Sequence, residues 1–389
     1  MSNEPRRAAD WYELLFDLVF VAVVAVAAER IEADPGLPTV TTTLLLFFPL
    51  WWAWVNLMAT NNLYGEHVPA MGALIIAAMP GPAAMAIAVA AGIVDFGWLY
   101  AVGAAWIRLI LLAMWLLPRA RGATSVPLWR PLAYNLGTAA VWLVSIAVPP
   151  PFRYVLWVVA VGAEVALLAA RGGFASEVYR RVSISHFLER IGLFVVIVVG
   201  EAVYLAVTGL AEHPTVPGAG AGLAGLVICA LLARAFFRWG APSAEQGLTT
   251  VRATGSFGAL RDVAMYLPFL LIAGLTLIAA AIGVAVHDPD ASLGLAPRLL
   301  LACGIGAFYL SNALIGVRLG RPLSFIVALL VPALILPSAA SLLSLGSPGW
   351  VTLALAAAAL VLLDLLTAAL ARRARRTNGS AARSPLDSL

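Results

Sequence analysis

Long runs of apolar residues recur along the whole chain and are separated by short polar segments. About 20 mostly apolar residues in an α-helix cross the hydrocarbon core of a bilayer, because the helix rises about 1.5 Å per residue and the core is about 30 Å thick. The pattern therefore predicts an all-α, polytopic bundle of about twelve transmembrane helices. The predicted spans, numbered in chain order, are residues 11–28, 41–60, 69–90, 97–117, 129–148, 153–170, 185–207, 220–239, 263–286, 298–317, 323–343 and 350–370.

The twelve predicted spans divide into two membrane halves. Residues 1–10 form a polar N-terminal segment, 11–208 the first half, 209–371 the second half, and 372–389 an arginine-rich tail that we expect to be disordered. Spans 1 and 7 would cross the membrane in the same direction, and both carry acidic residues near their beginning. This suggests a parallel duplication of six plus six spans, as in some transporters, with two unrelated halves as the alternative.

Arginine residues are concentrated in alternate loops between the predicted spans, whereas the other loops carry acids and few arginines. This is the positive-inside pattern, which predicts a multi-pass protein of the bacterial plasma (inner) membrane with both termini in the cytoplasm. The loop after span 2 departs from the pattern, since it carries no arginine. We call the membrane face of these loops the arginine-rich side, and its arginines are Arg6, Arg7, Arg119, Arg121, Arg130, Arg171, Arg180, Arg181, Arg252, Arg261, Arg318, Arg321, Arg372, Arg373, Arg375 and Arg376.

Composition narrows the function classes. Hydrophobic residues make up 62% of the chain and charged residues 11%, against about 45–50% and 25% in soluble domains. All basic residues are arginine, and the lack of lysine excludes a retinal or pyridoxal Schiff base and a P-loop. The four histidines are too few for a two-iron desaturase centre, so we expect no cofactor and no metal. The net charge of +4 reports topology rather than nucleic-acid binding, and the expected partners are the bilayer and an unknown small solute or ion, with the oligomeric state left open.

Charged residues inside the predicted spans are the best functional candidates. Each costs at least about 2.5–3.5 kcal/mol at the bilayer centre unless it is paired or hydrated. In span 1, Glu13 and Asp17 are four residues apart and share one face of the helix. Two carboxylates this close repel each other, so a proton or cation site is one interpretation. The alternative is that Glu13 lies at the membrane interface and Asp17 pairs with an arginine.

A second set of charged residues lies in span 7. His186, Arg190 and Glu201 lie within about 60° of one another around the helix axis, whereas Glu189 points to a different side. We expect Arg190 to neutralise one of the acids of span 1. Glu201 lies deep in the membrane and is the strongest functional candidate. The alternative for Glu201 is a protonated carboxyl group that makes a structural hydrogen bond between helices.

Arg108 in span 4 and Glu164 in span 6 either pair with each other or join the first set. If the charges of spans 1, 4 and 7 meet, four carboxylates face two arginines and about two negative charges remain. Protons or a bound cation must then neutralise them, which predicts a centre for ion-coupled transport. The residues of this predicted centre are Glu13, Asp17, Arg108, His186, Glu189, Arg190 and Glu201.

Two further features favour a binding site. The Pro-Gly-Pro sequence at residues 80–82 should break or kink span 3, and broken helices often line transport sites. Trp51, Trp54 and Asn56 in span 2 predict an aromatic wall for an apolar or cationic substrate. A simple kink and ordinary helix packing are the alternatives.

Three segments resemble the bacterial low temperature requirement protein A family. Residues 13–21 (ELLFDLVFV) are similar to its ELFFDLVFV signature, residues 51–56 (WWAWVN) to its second-span motif, and residues 186–201 (HFLERIGLFVVIVVGE) to its HxxERFGLFVIIxxGE segment, with Ile191 in place of Phe. The resemblance covers the first half to about Gly209, and the second half mainly by its span pattern. It implies an integral membrane protein linked to growth in the cold, and it leaves the molecular activity open. The matching motif positions are Glu13, Asp17, Asn56, His186, Glu189, Arg190, Gly192, Gly200 and Glu201.

Three functions are compatible with these patterns. We favour an ion-coupled secondary transporter or permease of unknown substrate that contributes to cold or membrane-stress adaptation. The alternatives are a membrane-embedded lipid-modifying enzyme, with Glu201 or His186 as acid or base, and a non-catalytic structural or sensing protein; an enzyme is the less expected outcome. A cavity open to alternate sides favours the transporter, a cavity open to lipid at Glu201 favours the enzyme, and a solid bundle with every charge paired favours the third function.

Overall fold

The computed structural model describes residues 10–66, 68–169, 181–212, 214–254 and 256–381. This part of the chain is a bundle of helices without a β-strand, which confirms the predicted all-α class. The α-helices are α1 (Trp11–Ala33), α2 (Leu37–Tyr64), α3 (Met71–Ala78), α4 (Pro80–Ala91), α5 (Ile93–Ala120), α6 (Trp129–Pro131), α7 (Thr138–Val144), α8 (Phe152–Ala169), α9 (Ile184–Glu212), α10 (Val216–Ala235), α11 (Ala241–Thr254), α12 (Phe257–Arg261), α13 (Leu267–His287), α14 (Leu295–Arg318), α15 (Leu323–Leu343) and α16 (Gly349–Ala381). Three π-helical turns join some of them, π1 (Leu132–Gly137), π2 (Phe236–Gly240) and π3 (Asp262–Tyr266), and a 3-10 turn (Ser145–Ala147) follows α7.

Nine helical segments in the described ranges are long and apolar enough to cross a membrane. They coincide with predicted spans 2–4 and 7–12, so the polytopic helical class is confirmed. Predicted spans 1, 5 and 6 coincide with α1, with the segment from α6 to α7, and with α8. The count of about twelve spans stays a prediction. The nine segments are Leu37–Tyr64, Met71–Ala91, Ile93–Ala120, Ile184–Glu212, Val216–Ala253, Gly258–His287, Leu295–Arg318, Leu323–Leu343 and Gly349–Ala369.

The described residues end close to the termini. Helix α16 continues to Ala381, inside the segment 372–389 that we expected to be a disordered tail. The remainder of that tail, residues 382–389, and residues 1–9 lie outside the described residues. Arg171 and Arg180, which we placed on the arginine-rich side, lie outside them as well.

Helices α4 and α5 cross with their backbones in contact at two glycines. A Cβ atom at Gly103 would lie 2.5 Å from the carbonyl oxygen of Gly81, and a Cβ atom at Gly81 would lie 2.9 Å from the carbonyl oxygen of Gly103. At the predicted break, α3 ends at Ala78 and α4 begins at Pro80, but Met79 between them keeps helical dihedral angles (φ −53°, ψ −40°), so the chain stays helical through residues 80–82. Both positions require glycine because any larger residue would push the two backbones apart.

The second half repeats this crossing between α13 and α14. A Cβ atom at Gly274 would lie 2.6 Å from the carbonyl oxygen of Gly304, and one at Gly304 would lie 2.7 Å from the carbonyl oxygen of Gly274. The first crossing joins predicted spans 3 and 4 and the second joins predicted spans 9 and 10, which are the third and fourth spans of the two predicted six-span repeats. The correspondence supports the six-plus-six duplication, which stays a prediction.

Helix α13 lies at the centre of the bundle and is the most buried of the candidate spans. It packs against α1, α9, α10, α14 and α16. Helices α1 and α9, which correspond to predicted spans 1 and 7, pack against each other as well as against α13. Aromatic rings fill the adjoining space, with Trp54 centred 5.1 Å from Trp51 and 4.7 Å from Phe194 of α9. The junction of the two halves therefore holds the aromatic core, and the buried charges lie beside it.

Candidate functional site

Two pairs of charged or ionisable side chains join α1 to α9. His186 Nε2 lies 3.2 Å from Glu13 Oε2, and Arg190 Nη2 lies 2.8 Å from Asp17 Oδ1. All four side chains are buried. The acids are four residues apart on α1 and their partners are four residues apart on α9, so the two parallel helices meet in register over one turn. We call these four residues, with Trp54, Asn61 and Asn62 of α2, the α1–α2–α9 cluster.

The carboxylate of Glu13 accepts hydrogen bonds from three directions. The backbone N–H of Asp10 donates at 2.9 Å, Asn61 Nδ2 at 2.6 Å, and His186 Nε2 approaches at 3.2 Å. The first of these bonds belongs to a capping box at the start of α1. Donors on three separate elements therefore stabilise Glu13 as a carboxylate.

Asp17 is less completely satisfied than Glu13. Its Oδ1 accepts from Arg190 Nη2 at 2.8 Å and from Trp54 Nε1 at 2.9 Å, but its buried Oδ2 has no partner among the described residues. Arg190 also donates from Nη2 to the carbonyl oxygen of Glu13 at 3.1 Å, while its buried Nε and Nη1 have no partner there. A buried acceptor and two buried donors are thus left to interact with a proton, a water or a solute.

The hydrogen bonds of Asn62 orient its amide toward His186. The backbone N–H of Ser183 donates to Asn62 Oδ1 at 2.9 Å, and Asn62 Nδ2 donates to the carbonyl oxygen of Ser183 at 3.0 Å. The amide nitrogen of Asn62 therefore also faces His186 Nδ1, at 3.1 Å. Because that nitrogen can only donate, it bonds to Nδ1 only in the tautomer that carries its proton on Nε2, and that proton is then directed at Glu13.

The net charge of the cluster depends on the protonation of its groups. With His186 neutral, Glu13 and Asp17 contribute two negative charges and Arg190 contributes one positive charge. One additional proton makes the set neutral, and a buried set gains from neutrality because there is little solvent to screen it.

Arg108 and Glu164 form a separate buried pair between α5 and α8, with Arg108 Nη2 2.7 Å from Glu164 Oε2. The side chains of Trp52, Thr138 and Trp142 surround the carboxylate. Of the two arrangements that the sequence left open, the structure contains the direct pair. Arg108 therefore does not belong to the α1–α2–α9 cluster.

Glu201 and Glu189 also lie apart from that cluster. Glu201 is eleven residues beyond Arg190, which corresponds to about 16 Å along the helix. It is buried, its Oε1 has no hydrogen-bond partner among the described residues, and its acidic neighbours are Glu29 and Glu32 of α1. Glu189 is exposed on the outer side of α9. The predicted convergence of all these charges on one centre is not present, because their depth along α9 and their helix faces separate them.

A cavity of about 100 Å³, called cavity one, lies on the arginine-rich side of the first half. Its wall is mainly apolar and includes Asn56 and Thr60 of α2 and Tyr134 and Asn135 of π1. The hydroxyl of Tyr134 donates to Asn56 Oδ1 at 2.9 Å. The π3 turn also contributes to the lining, and π-helical turns inside α-helices are frequent at functional sites.

The three predicted substrate-binding residues lie in different surroundings. Asn56 lines cavity one, whereas Trp51 and Trp54 are fully buried in the aromatic core. The indole N–H of Trp51 donates to the carbonyl oxygen of Met265 at 2.9 Å, and that of Trp54 donates to Asp17. The two tryptophans therefore position the helices and the acid instead of lining this cavity.

Sequence reasoning missed Asn61 and Asn62. Both are buried and link α2 to the ionisable residues of α1 and α9. Two adjacent asparagines in an apolar helix are costly in a membrane unless they are hydrogen-bonded, and this could have identified them.

Comparisons with known proteins agree with this membrane bundle. The model of the family described as bacterial low temperature requirement A protein matches residues 8–363, nearly the whole chain. An uncharacterized protein of Rhizobium meliloti (strain 1021), RA0937, is 27% identical over 208 residues, which cover 52% of this chain and 51% of that protein. The chain thus matches about half the length of this relative, and no solved structure matches. With the family model covering the motifs of both α1 and α9, the chain belongs to the bacterial low temperature requirement A protein family.

Proposed function

We propose that this protein is a proton-coupled secondary transporter of a small solute in the bacterial inner membrane, with both termini in the cytoplasm. The observation that carries the proposal is the α1–α2–α9 cluster, in which two buried carboxyl groups face one arginine and one histidine that can take up a proton. A group that binds and releases one proton inside a membrane bundle is the minimal element of proton coupling. A contribution to growth in the cold, which the family's description suggests, is part of the same proposal.

Protonation of His186 would change the contact between α2 and α9. A proton on Nδ1 would face the amide N–H of Asn62, so two donors would point at each other. To relieve this conflict, either the imidazole or the Asn62 amide must turn. If the amide turns, it loses its two hydrogen bonds to the backbone of Ser183. Proton binding is thereby linked to the packing of two helices, which is what a coupled transporter requires.

The solute site that fits this link is cavity one. Val182 and Ile184, the neighbours of Ser183 in the chain, both line it, as do Asn56 and Thr60 from the helix that carries Asn62. A movement at the Asn62–Ser183 contact would therefore shift lining residues of cavity one both on α2 and next to Ser183. The mainly apolar lining with a few polar groups suits a small, weakly polar solute.

The alternatives that the sequence left open have less support. The lipid-modifying enzyme needs a cavity at Glu201 that opens to lipid, and Glu201 lines neither cavity one nor the cavity of the second half described below. The non-catalytic structural protein needs a solid bundle with all charges satisfied. Buried atoms of Asp17 and Arg190 have no partner in the described part of the chain, which does not favour a non-catalytic structural protein.

Proteoliposomes that contain a pH-sensitive dye test the proposal. Gradients of neutral amino acids, sugars, organic acids, Na⁺ and K⁺ are imposed in turn, and we expect at least one solute to drive a change of internal pH. Asp17→Asn removes the acid whose second oxygen is unpartnered, and it should abolish that change. Glu189→Gln removes a carboxylate from the exposed face of the same region and should retain it.

A second measurement does not need the solute. In protein with ¹⁵N-labelled histidine, the His186 ring should show the Nε2–H tautomer when Asn62 donates to Nδ1. Uptake of a second proton by the ring should be accompanied by faster hydrogen exchange at the Ser183 amide. The proposal fails if no solute in the panel moves protons, if Asp17→Asn transports as well as the wild type, or if His186 is protonated without any change at Ser183.

A further inference from the structure

The second half contains its own cavity, of about 190 Å³, which we call cavity two. It lies among α10, π2, α11, α14, α15 and α16, beside the loop between α14 and α15. Its wall is mostly apolar, with Leu231, Phe308, Leu330 and Leu360 as examples. Polar groups are confined to a few side chains, which are Trp239, Ser243, Tyr309, Asn312, Arg321, Asp364 and Thr367.

Cavity two borders the surface that faces lipid. Helix α15, which forms one wall, is the least buried of the candidate spans. Its apolar side chains Phe325, Val327, Val331 and Ile335 are all exposed. An apolar cavity behind such a helix is accessible to the acyl chain of a neighbouring lipid without passage through water.

The polar lining has hydrogen-bond donors without acceptors. The buried indole N–H of Trp239 has no partner in the described ranges, and within the same ranges the guanidinium of Arg321 makes neither an ion pair nor a hydrogen bond. The acid in the lining, Asp364, is already bound, since Arg234 Nε lies 3.1 and 3.2 Å from its two oxygens. Arg321 is thus a positive charge of the lining that no acid in this region neutralises.

We infer that cavity two binds one anionic phospholipid from the leaflet on the arginine-rich side. Its phosphate accepts from the guanidinium of Arg321 and from the indole N–H of Trp239, and an acyl chain occupies the apolar wall around Phe308 and Leu330. Arginine and tryptophan at the membrane interface, with an apolar cavity behind them, form the combination that a charged amphiphile needs.

The chemistry selects an anionic lipid over two related ligands. A zwitterionic phospholipid brings an ammonium group that would lie near the unneutralised Arg321, so it is less favourable. Free phosphate or glycerol phosphate satisfies the donors but leaves the apolar wall empty, and burial of apolar surface supplies much of the binding free energy of an amphiphile. The inference does not depend on transport, because neither the α1–α2–α9 cluster nor cavity one takes part.

Native mass spectrometry of the purified, delipidated protein in detergent tests this site. We titrate phosphatidylglycerol, phosphatidylcholine and glycerol 3-phosphate, and expect phosphatidylglycerol to bind about tenfold more tightly than phosphatidylcholine, with no measurable binding of glycerol 3-phosphate. Arg321→Gln should weaken phosphatidylglycerol binding about tenfold. Arg121→Gln removes an exposed arginine from another loop on the same side and should leave it unchanged.

A second variant keeps the test decisive if Arg321→Gln does not fold. Leu330→Trp places a large ring in the cavity while all charges stay, and it should weaken phosphatidylglycerol binding to a similar extent. The inference is overturned if phosphatidylcholine binds as tightly as phosphatidylglycerol, if glycerol 3-phosphate binds, or if folded Arg321→Gln or Leu330→Trp binds the anionic lipid like the wild type.

Discussion

The two halves of the chain build the same framework around different chemistry. In each half, two helices cross at a pair of glycines. Cavity one is lined by residues of α2, α5, π1, α8 and α9 and by residues between 248 and 265 of the second half, whereas cavity two is lined by α10, π2, α11, α14, α15 and α16. In the first half, Arg108 and Glu164 form a fully buried ion pair. In the second half, Arg234 and Asp364 are partly exposed and Arg321 has no acid partner among the described residues.

This difference indicates that the framework and the sites are set by separate residues. The glycines fix how closely the helices approach, and they do not determine what the cavity binds. In our proposals, a few polar side chains give the first half its proton coupling and the second half its site for an anionic lipid. Four sets of substitutions test this division, from the largest expected effect to the smallest.

The largest effect should come from the buried ion pair. Arg108→Gln leaves Glu164 buried without its cation, and we expect the free energy of unfolding to fall by about 3–5 kcal/mol. Reversible unfolding in mixed detergent micelles, followed by tryptophan fluorescence, measures the change. The double variant Arg108→Leu with Glu164→Leu should recover most of the loss. A single variant within about 1 kcal/mol of the wild type would contradict the buried pairing.

The glycine crossings should behave alike in the two halves. Gly103→Ala and Gly274→Ala place a Cβ atom 2.5 and 2.6 Å from the facing carbonyl oxygens, so each should cost about 1–3 kcal/mol in the same unfolding measurement. Gly162→Ala in α8 is the control, because no atom of a neighbour lies within 4 Å of its added Cβ. Unequal losses at Gly103 and Gly274 would argue against a shared framework.

The two cavity tyrosines should differ. Tyr134 donates to the buried Asn56, so Tyr134→Phe should cost about 0.5–1.5 kcal/mol of stability. Tyr309 lines cavity two, and its hydroxyl makes no hydrogen bond within the described residues. The free energy of unfolding of Tyr309→Phe should therefore stay within about 0.5 kcal/mol of the wild-type value. Equal effects of the two substitutions would show that the cavities are alike in their polar contacts after all.

The smallest effect should come from the ion pair of the second half. Arg234 is partly exposed, so Arg234→Gln should change the unfolding free energy by about 0.2–1 kcal/mol. Raising the salt concentration should reduce this difference further, since solvent ions screen an exposed pair. A loss comparable to that of Arg108→Gln would mean that the two ion pairs have the same role.

Much of the architecture could be predicted from the sequence because apolar runs of membrane length leave few alternatives. The spacing of Glu13 with Asp17, and of His186 with Arg190, also identified side chains that meet, since four residues return to one helix face. The grouping of the remaining charges could not be predicted. Periodicity gives the face of a residue and its depth, but it does not say which helix lies opposite.

Other features depend on tertiary contacts that no local pattern reports. The Pro-Gly-Pro sequence at residues 80–82 could be recognised in the sequence, but the backbone contact between Gly81 and Gly103 could not be predicted from it. The π-helical turns that line both cavities have no sequence signature of their own. The hydrogen bonds of Asn62 to Ser183 join residues 121 positions apart, and only the folded chain brings them together.

The register of α1 and α9 has a mechanical consequence. The two pairs, Glu13 with His186 and Asp17 with Arg190, lie one helical turn apart, and a turn of α-helix advances about 5.4 Å. If one helix shifts along the other by a single turn, one acid gains the other acid's partner and the second acid loses its partner. A shift in one direction leaves Asp17 unpaired and a shift in the other leaves Glu13 unpaired, so each one-turn shift leaves one carboxylate without its partner.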